Sequence, residues 1–177
     1  MRRFTLMISL LMAFGIQAKA QFVQQKITYP IAPVDMQQVE VKDGFWKERI
    51  ATTIETTIPH TFDQCEKTGR IDNFKRAAGR EEGPFQGGAG YNDSDVFKIL
   101  EGACYALMTT GDEELREYVD TLVSYMVDAQ EEDGLLYTAW SLRANNDDIR
   151  CSYIVEPFDN LASSHALYNP GHMYEAA

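Results

Sequence analysis

Asn92-Asp93-Ser94-Asp95-Val96-Phe97-Lys98-Ile99-Leu100-Glu101-Gly102-Ala103-Cys104-Tyr105-Ala106-Leu107-Met108 is the segment on which the fold turns. Its first four residues offer capping side chains, and acids suited to the positive end of a helix. From Val96 to Met108 charges are few, so the spacing predicts a helix that is apolar nearly all round and buried on most sides. Gly111 ends it and Asp112 opens the next helix, Glu113 to Gln130. There Leu115, Val119, Leu122, Met126 and Ala129 form one stripe, while Glu114, Glu117, Asp120 and Asp128 are left for water. A buried helix joined tightly to an acidic amphipathic one suits a layered helical body, either a toroid or a solenoid. The Gly and Pro residues show no fixed period, which argues against a solenoid scaffold.

Toward the N-terminus, Trp46, Ile50, Ile54 and Ile58 recur every four residues, the mark of an amphipathic helix. Pro59 cannot donate to the helical ladder, so this helix either ends near Thr57 or restarts with Pro59 in its first turn. A second short helix through Phe62 and Cys65 would end at Gly69. Val39, Val41 and Phe45 alternate with polar residues, which allows a short strand. Residues 76–92 read as a loop rich in glycine. It lacks the Gly-Lys-Ser/Thr of a phosphate cradle. Its rings, Phe85 and Tyr91, are expected to be presented at a site, although a plain surface loop fits the composition equally well.

On the C-terminal side, residues after Gly134 have little helical period and read as a hairpin or a covering loop. The final stretch is Ser163-Ser164-His165-Ala166-Leu167-Tyr168-Asn169-Pro170-Gly171-His172-Met173-Tyr174-Glu175-Ala176-Ala177. It holds two of the three histidines seven residues apart, and a helix is expected to start at Pro170, with no stop signal before Ala177.

The 177 residues carry a formal charge of −11, 45% hydrophobic and 24% charged residues, a globular composition. Such acidity repels phosphate backbones and argues against nucleic acid as a partner. Arg2 and Arg3, an apolar run from Phe4 to Ile16, and Ala18-Lys19-Ala20 have the layout of a signal peptide over residues 1–20, cleaved after Ala20. The apolar run falls short of the roughly 20 residues that span a bilayer. Cleavage would remove three basic residues and no acids, taking the charge from −11 to −14. The expected localisation is secreted or periplasmic, with no membrane span left after cleavage. Residues 21–38 form an extended lead-in, and 39–177 the folded body. Cys65, Cys104 and Cys151 form no CxxC pair, and the apolar setting of Cys104 suits a small buried hydrophobe.

Several segments, in this order, resemble the catalytic domain of glycoside hydrolase family 127, the β-L-arabinofuranosidase-like family. They are Trp46-Lys47-Glu48-Arg49, Thr57-Ile58-Pro59, Gly69-Arg70-Ile71-Asp72-Asn73-Phe74, the Phe85–Gly90 loop, Asn92 to Glu101, Gln130 to Tyr137, and the closing His165 to Ala176. The resemblance implies an all-α fold, an incomplete (α/α)6 barrel made of the first few helices of the toroid with long loops. It further implies the N-terminal part of a retaining exo-glycosidase that removes β-linked L-arabinofuranose, or a related sugar, from plant glycans. Zinc is the cofactor implied for the full family domain. A zinc-bound cysteine thiolate serves there as nucleophile and a glutamate as general acid, and no position of this chain matches those groups.

What carries over is a carbohydrate-binding wall: His165, His172, Tyr168, Asp95, Glu101 and Phe85. Asp95 also has an explanation as a helix-start acid, and His172 as a hydrogen-bonded buried histidine. Ala166 stands where the family usually has glutamate, and Pro170 where a helix-compatible residue is usual. Two alternatives to a glycosidase portion are a non-catalytic carbohydrate-binding remnant and a helical scaffold.

Overall fold

A computed structural model describes residues 31–142, 158 and 161–177, of which those from Val34 onward belong to one compact unit. Residues 1–20, where the signal peptide is expected, and Cys151 lie outside the described residues. All regular elements among the described residues are helical. The strand allowed over Val39–Phe45 does not form. A 3-10 turn, Met36–Gln38, is followed by irregular chain, and Val39, Val41 and Phe45 are all exposed, with no strand among the described residues to pair with.

Helices α1 (Gly44–Thr52) and α2 (Ile58–Lys67) are joined without a break by five residues of π-helix, Thr53–Thr57. The Ile58 N–H reaches back five residues to the Thr53 carbonyl. Widening the helix just before Pro59 makes room for a ring that would otherwise meet the preceding turn. Pro59 therefore sits in the first turn of α2, the second of the two outcomes its position allowed. The expected stripe turns inward only at its end. Ile58 is buried and Ile54 partly so, whereas Ile50 and Trp46 are exposed, Trp46 to 67%.

Helix α2 buries Ile58, Phe62 and Cys65 and ends at Gly69, as its glycine suggests. Gly69 is left-handed (φ +71°), and a Cβ there would lie 2.6 Å from the Gln86 side chain, so both conformation and space demand glycine. A further helix, α3 (Arg70–Ala77), follows at once. It buries Ile71, Asn73 and Phe74. The Asn73 amide both donates to the Gln86 carbonyl (2.9 Å) and accepts from the Gln86 N–H (2.7 Å), pinning the glycine-rich loop to the helix.

Helix α4 (Asn92–Thr110) is the centre of the unit and packs against α2, α3, α5 and α8. Val96, Phe97, Ile99, Leu100, Ala103 and Ala106 are buried, and the Phe97 ring meets Phe74 edge-on at 5.6 Å. Burial is less even than the sequence suggests, because Tyr105 and Met108 near the C-terminal end are exposed. The acids at its start also behave differently from caps. Tyr91 holds the cap position without a side-chain bond. Asp93, fully buried, accepts instead from the Thr138 N–H (2.8 Å) and the Thr138 hydroxyl (2.5 Å).

Gly111 (φ +64°) closes α4, and Asp112 caps α5 (Glu113–Asp128) by accepting from the Leu115 N–H at 3.1 Å. Val119, Leu122, Met126 and Ala129 are buried and Leu115 partly so, the stripe read from the sequence. Within the stretch after Gly134, expected as a hairpin or a covering loop, the short helix α6 (Thr138–Ser141) carries Thr138 to Asp93, and residues 143–157 lie outside the described residues. Two more helices close the described chain, α7 (Leu161–Ser164) and α8 (Tyr168–Ala176). The latter begins two residues before Pro170. Proline is tolerated there because N–H groups of the first turn have no partner within the helix.

Burial pushes the Asp93 carboxyl up to about 6 from its ordinary 3.8, against the opposing effect of its two hydrogen bonds from Thr138. Between these values the folded chain holds the proton more tightly than the unfolded chain, so this residue's penalty grows as pH rises through the window and is complete above about 6. Urea unfolding at pH 4.5 and 7.5 should therefore show a loss of stability at the higher pH that Asp93→Asn reduces, by about 2 kcal/mol. An identical pH difference in the two proteins would contradict the assignment.

Candidate sugar-binding site

The start of α4, the loop before it and the chain leading into α8 converge on one exposed strip. Residues three and four apart share a helix face, so Lys98 and Glu101 line one edge of α4 while Tyr168 and His172 line the facing edge of α8. The pairing is direct: His172 Nδ1 lies 3.0 Å from Glu101 Oε2. With a proton on Nδ1 donated to that carboxylate, Nε2 is left as an acceptor. Lys98 Nζ lies 5.0 Å from the centre of the Tyr168 ring, a cation–π distance, and 3.3 Å from the Ser94 hydroxyl.

Along this strip the rings form a line of edge-on contacts. Tyr91 and His165 are 5.2 Å apart, His165 and Tyr168 5.8 Å, and Tyr168 and His172 5.9 Å. Tyr91 and Tyr168 are exposed, and both histidines are half-buried. Such a surface has apolar ring faces for the C–H side of a small polyol, with imidazole nitrogens and a carboxylate at its edge for hydroxyl groups.

Of the six residues singled out in the sequence, His165, Tyr168, His172 and Glu101 are brought together here. Asp95 lies on an adjoining groove of about 470 Å³, across Lys98 from the rings, where it pairs with Arg70 Nε at 2.7 Å. Phe85 requires correction. Its ring is buried with Tyr137, Ala139, Leu142 and Ala166, where filling a second small core outweighs presenting a ring to solvent. Tyr91, the other ring of that loop, is the one displayed. Lys98 carries no role in the sequence reading. Its position four residues after Ser94 and three before Glu101 is the signal that could have revealed it.

No thiol of the described residues is poised to act as a nucleophile. Burial raises Cys65 to about 11 and also raises Cys104, so both are protonated at neutral pH. Among the described residues no three of His, Cys, Asp and Glu are placed to hold a metal ion. Nor is any described helix long and apolar enough to cross a membrane.

Residues 38–177 match the family model described as the β-L-arabinofuranosidase GH127 catalytic domain. A "non-reducing end beta-L-arabinofuranosidase" of Bifidobacterium longum subsp. longum is 32% identical over 160 residues, covering 78% of this chain and 23% of the relative. Among solved structures, a GH127 β-arabinofuranosidase superposes with a TM-score of 0.74 at 40% identity, over 84% of this chain and 23% of that one. A second, the GH127 β-L-arabinofuranosidase of Geobacillus stearothermophilus T6, gives 0.67 at 34% identity, over 78% and 21%. The chain thus spans about a quarter of the length of these relatives, and its helices are consistent with part of a helical toroid. With a match that runs from residue 38 to the last residue, the chain belongs to glycoside hydrolase family 127, the β-L-arabinofuranosidase family.

Proposed function

We propose that this chain supplies part of the sugar-binding wall of a secreted, retaining glycoside hydrolase that removes β-linked L-arabinofuranose from plant glycans. The line Tyr91–His165–Tyr168–His172, with Glu101 against His172, is the observation that carries this reading. It gives a small furanose two aromatic flanks and a row of hydroxyl partners, within a domain whose relatives are named for the same sugar. Zinc enters the reading only as a cofactor of the whole catalytic domain. Secretion rests on the signal-peptide layout of residues 1–20.

Titration of the chain with methyl β-L-arabinofuranoside, followed by NMR, should show saturable binding. Tyr168→Ala should weaken it about tenfold, the effect of losing one aromatic platform worth roughly 1.4 kcal/mol. Affinity unchanged by that substitution would remove the strip from the binding surface. Incubated with 4-nitrophenyl β-L-arabinofuranoside, the chain alone is expected to release no nitrophenol, because its described residues hold no activated nucleophile. Measurable turnover would contradict this division of labour.

A further inference from the structure

His165 is the only residue other than glycine with a positive φ, +60°, among the described residues. A side chain with a Cβ rarely adopts this conformation, and where it does, its surroundings must hold it. The holding groups lie on both sides of His165. Before it, the Tyr137 hydroxyl donates to the Ser164 carbonyl at 2.6 Å, and both residues are 1% exposed. After it, Ala166 is buried beside Tyr137 in the second core. The His165 carbonyl accepts from the N–H groups of Tyr168 and Asn169, each at 3.0 Å.

Asn169 completes the arrangement. Its side chain is 0% exposed, and Nδ2 donates to the Gly90 carbonyl at 2.8 Å. Gly90 precedes Tyr91 in the chain, and Tyr168 precedes Asn169. One hydrogen bond thus ties together the immediate neighbours of the two rings that flank the His165 imidazole.

We propose that Tyr137 and Asn169 are positioning residues for the sugar site. Their two buried hydrogen bonds hold His165 in a left-handed backbone conformation and set its imidazole between Tyr91 and Tyr168 before any ligand arrives. The proposal rests on the reading of this strip as a sugar site. Neither side chain touches the ligand. Each acts through His165 and its flanking rings, and rigid placement of this kind lowers the ordering cost of binding.

The His165 imidazole C–H resonances report the geometry directly, because ring currents from two tyrosines displace them from those of a free imidazole. Tyr137→Phe removes only the hydroxyl and keeps the ring in the core. It should leave the chain folded, move these resonances toward free-imidazole values, and weaken methyl β-L-arabinofuranoside binding about tenfold. Asn169→Ser should do the same and also shift the Tyr91 resonances. If that variant does not fold, Tyr137→Phe decides alone. His165→Gly should match or exceed the native thermal midpoint, since glycine accepts the left-handed backbone, while abolishing binding.

His165 resonances unmoved in a folded Tyr137→Phe, or moved with affinity intact, would overturn the proposal. So would a lowered midpoint in His165→Gly. If the native chain fails to bind the sugar, the reading of the strip falls separately, and the resonance shifts still decide whether the clamp exists.

Discussion

Helix α4 packs against α2, α3, α5 and α8, and it enters the core with its polar end first. Asn92, Asp93 and Ser94 are all buried, so each must find a partner inside the protein. Asn92 Nδ2 donates to the Gln86 carbonyl, Asp93 takes Thr138, and the Ser94 hydroxyl donates to the Tyr91 carbonyl. These bonds draw the glycine-rich loop and α6 onto the start of α4. Removing an Asp93 partner would leave a buried polar group unsatisfied, at a cost of about 1–3 kcal/mol. The greasy middle of the helix supplies the packing, while its polar end decides which loops come with it.

The site inherits its shape from that arrangement. Because α8 lies along α4, Glu101 meets His172 and Lys98 meets Tyr168 with no loop between them. Because the loop is drawn onto α4, Tyr91 reaches His165. The strip is therefore built mostly on helix edges, with the left-handed His165 where α7 and α8 meet. Asp95 and Arg70 belong to the neighbouring groove, where their ion pair links α3 to α4.

The paired helices α4 and α5 were legible because their signals are local: Gly111, Asp112 and a stripe repeating at three and four residues. Helix α3 was not. Over eight residues it has only Ile71 and Phe74 as large apolar groups, and its third buried residue is Asn73, which reads as a surface residue until the Gln86 backbone is brought to it. Asp93 looked like a cap because an acid at a helix start has two uses, and Thr138 lies 45 residues away. Phe85 misled for a related reason: glycine around it signals a loop but not which way the ring turns. His165, Tyr168, His172 and Glu101 were legible only through family resemblance. The Glu101–His172 contact spans 71 residues, and nothing local announces that a histidine will be left-handed.

Everything rests on where the sugar sits. Intermolecular NOEs from the protons of methyl β-L-arabinofuranoside to assigned ring resonances of the chain test this most directly. They should fall on Tyr91, His165, Tyr168 and His172. NOEs confined to the exposed rings of α1, Phe45 and Trp46, would contradict it.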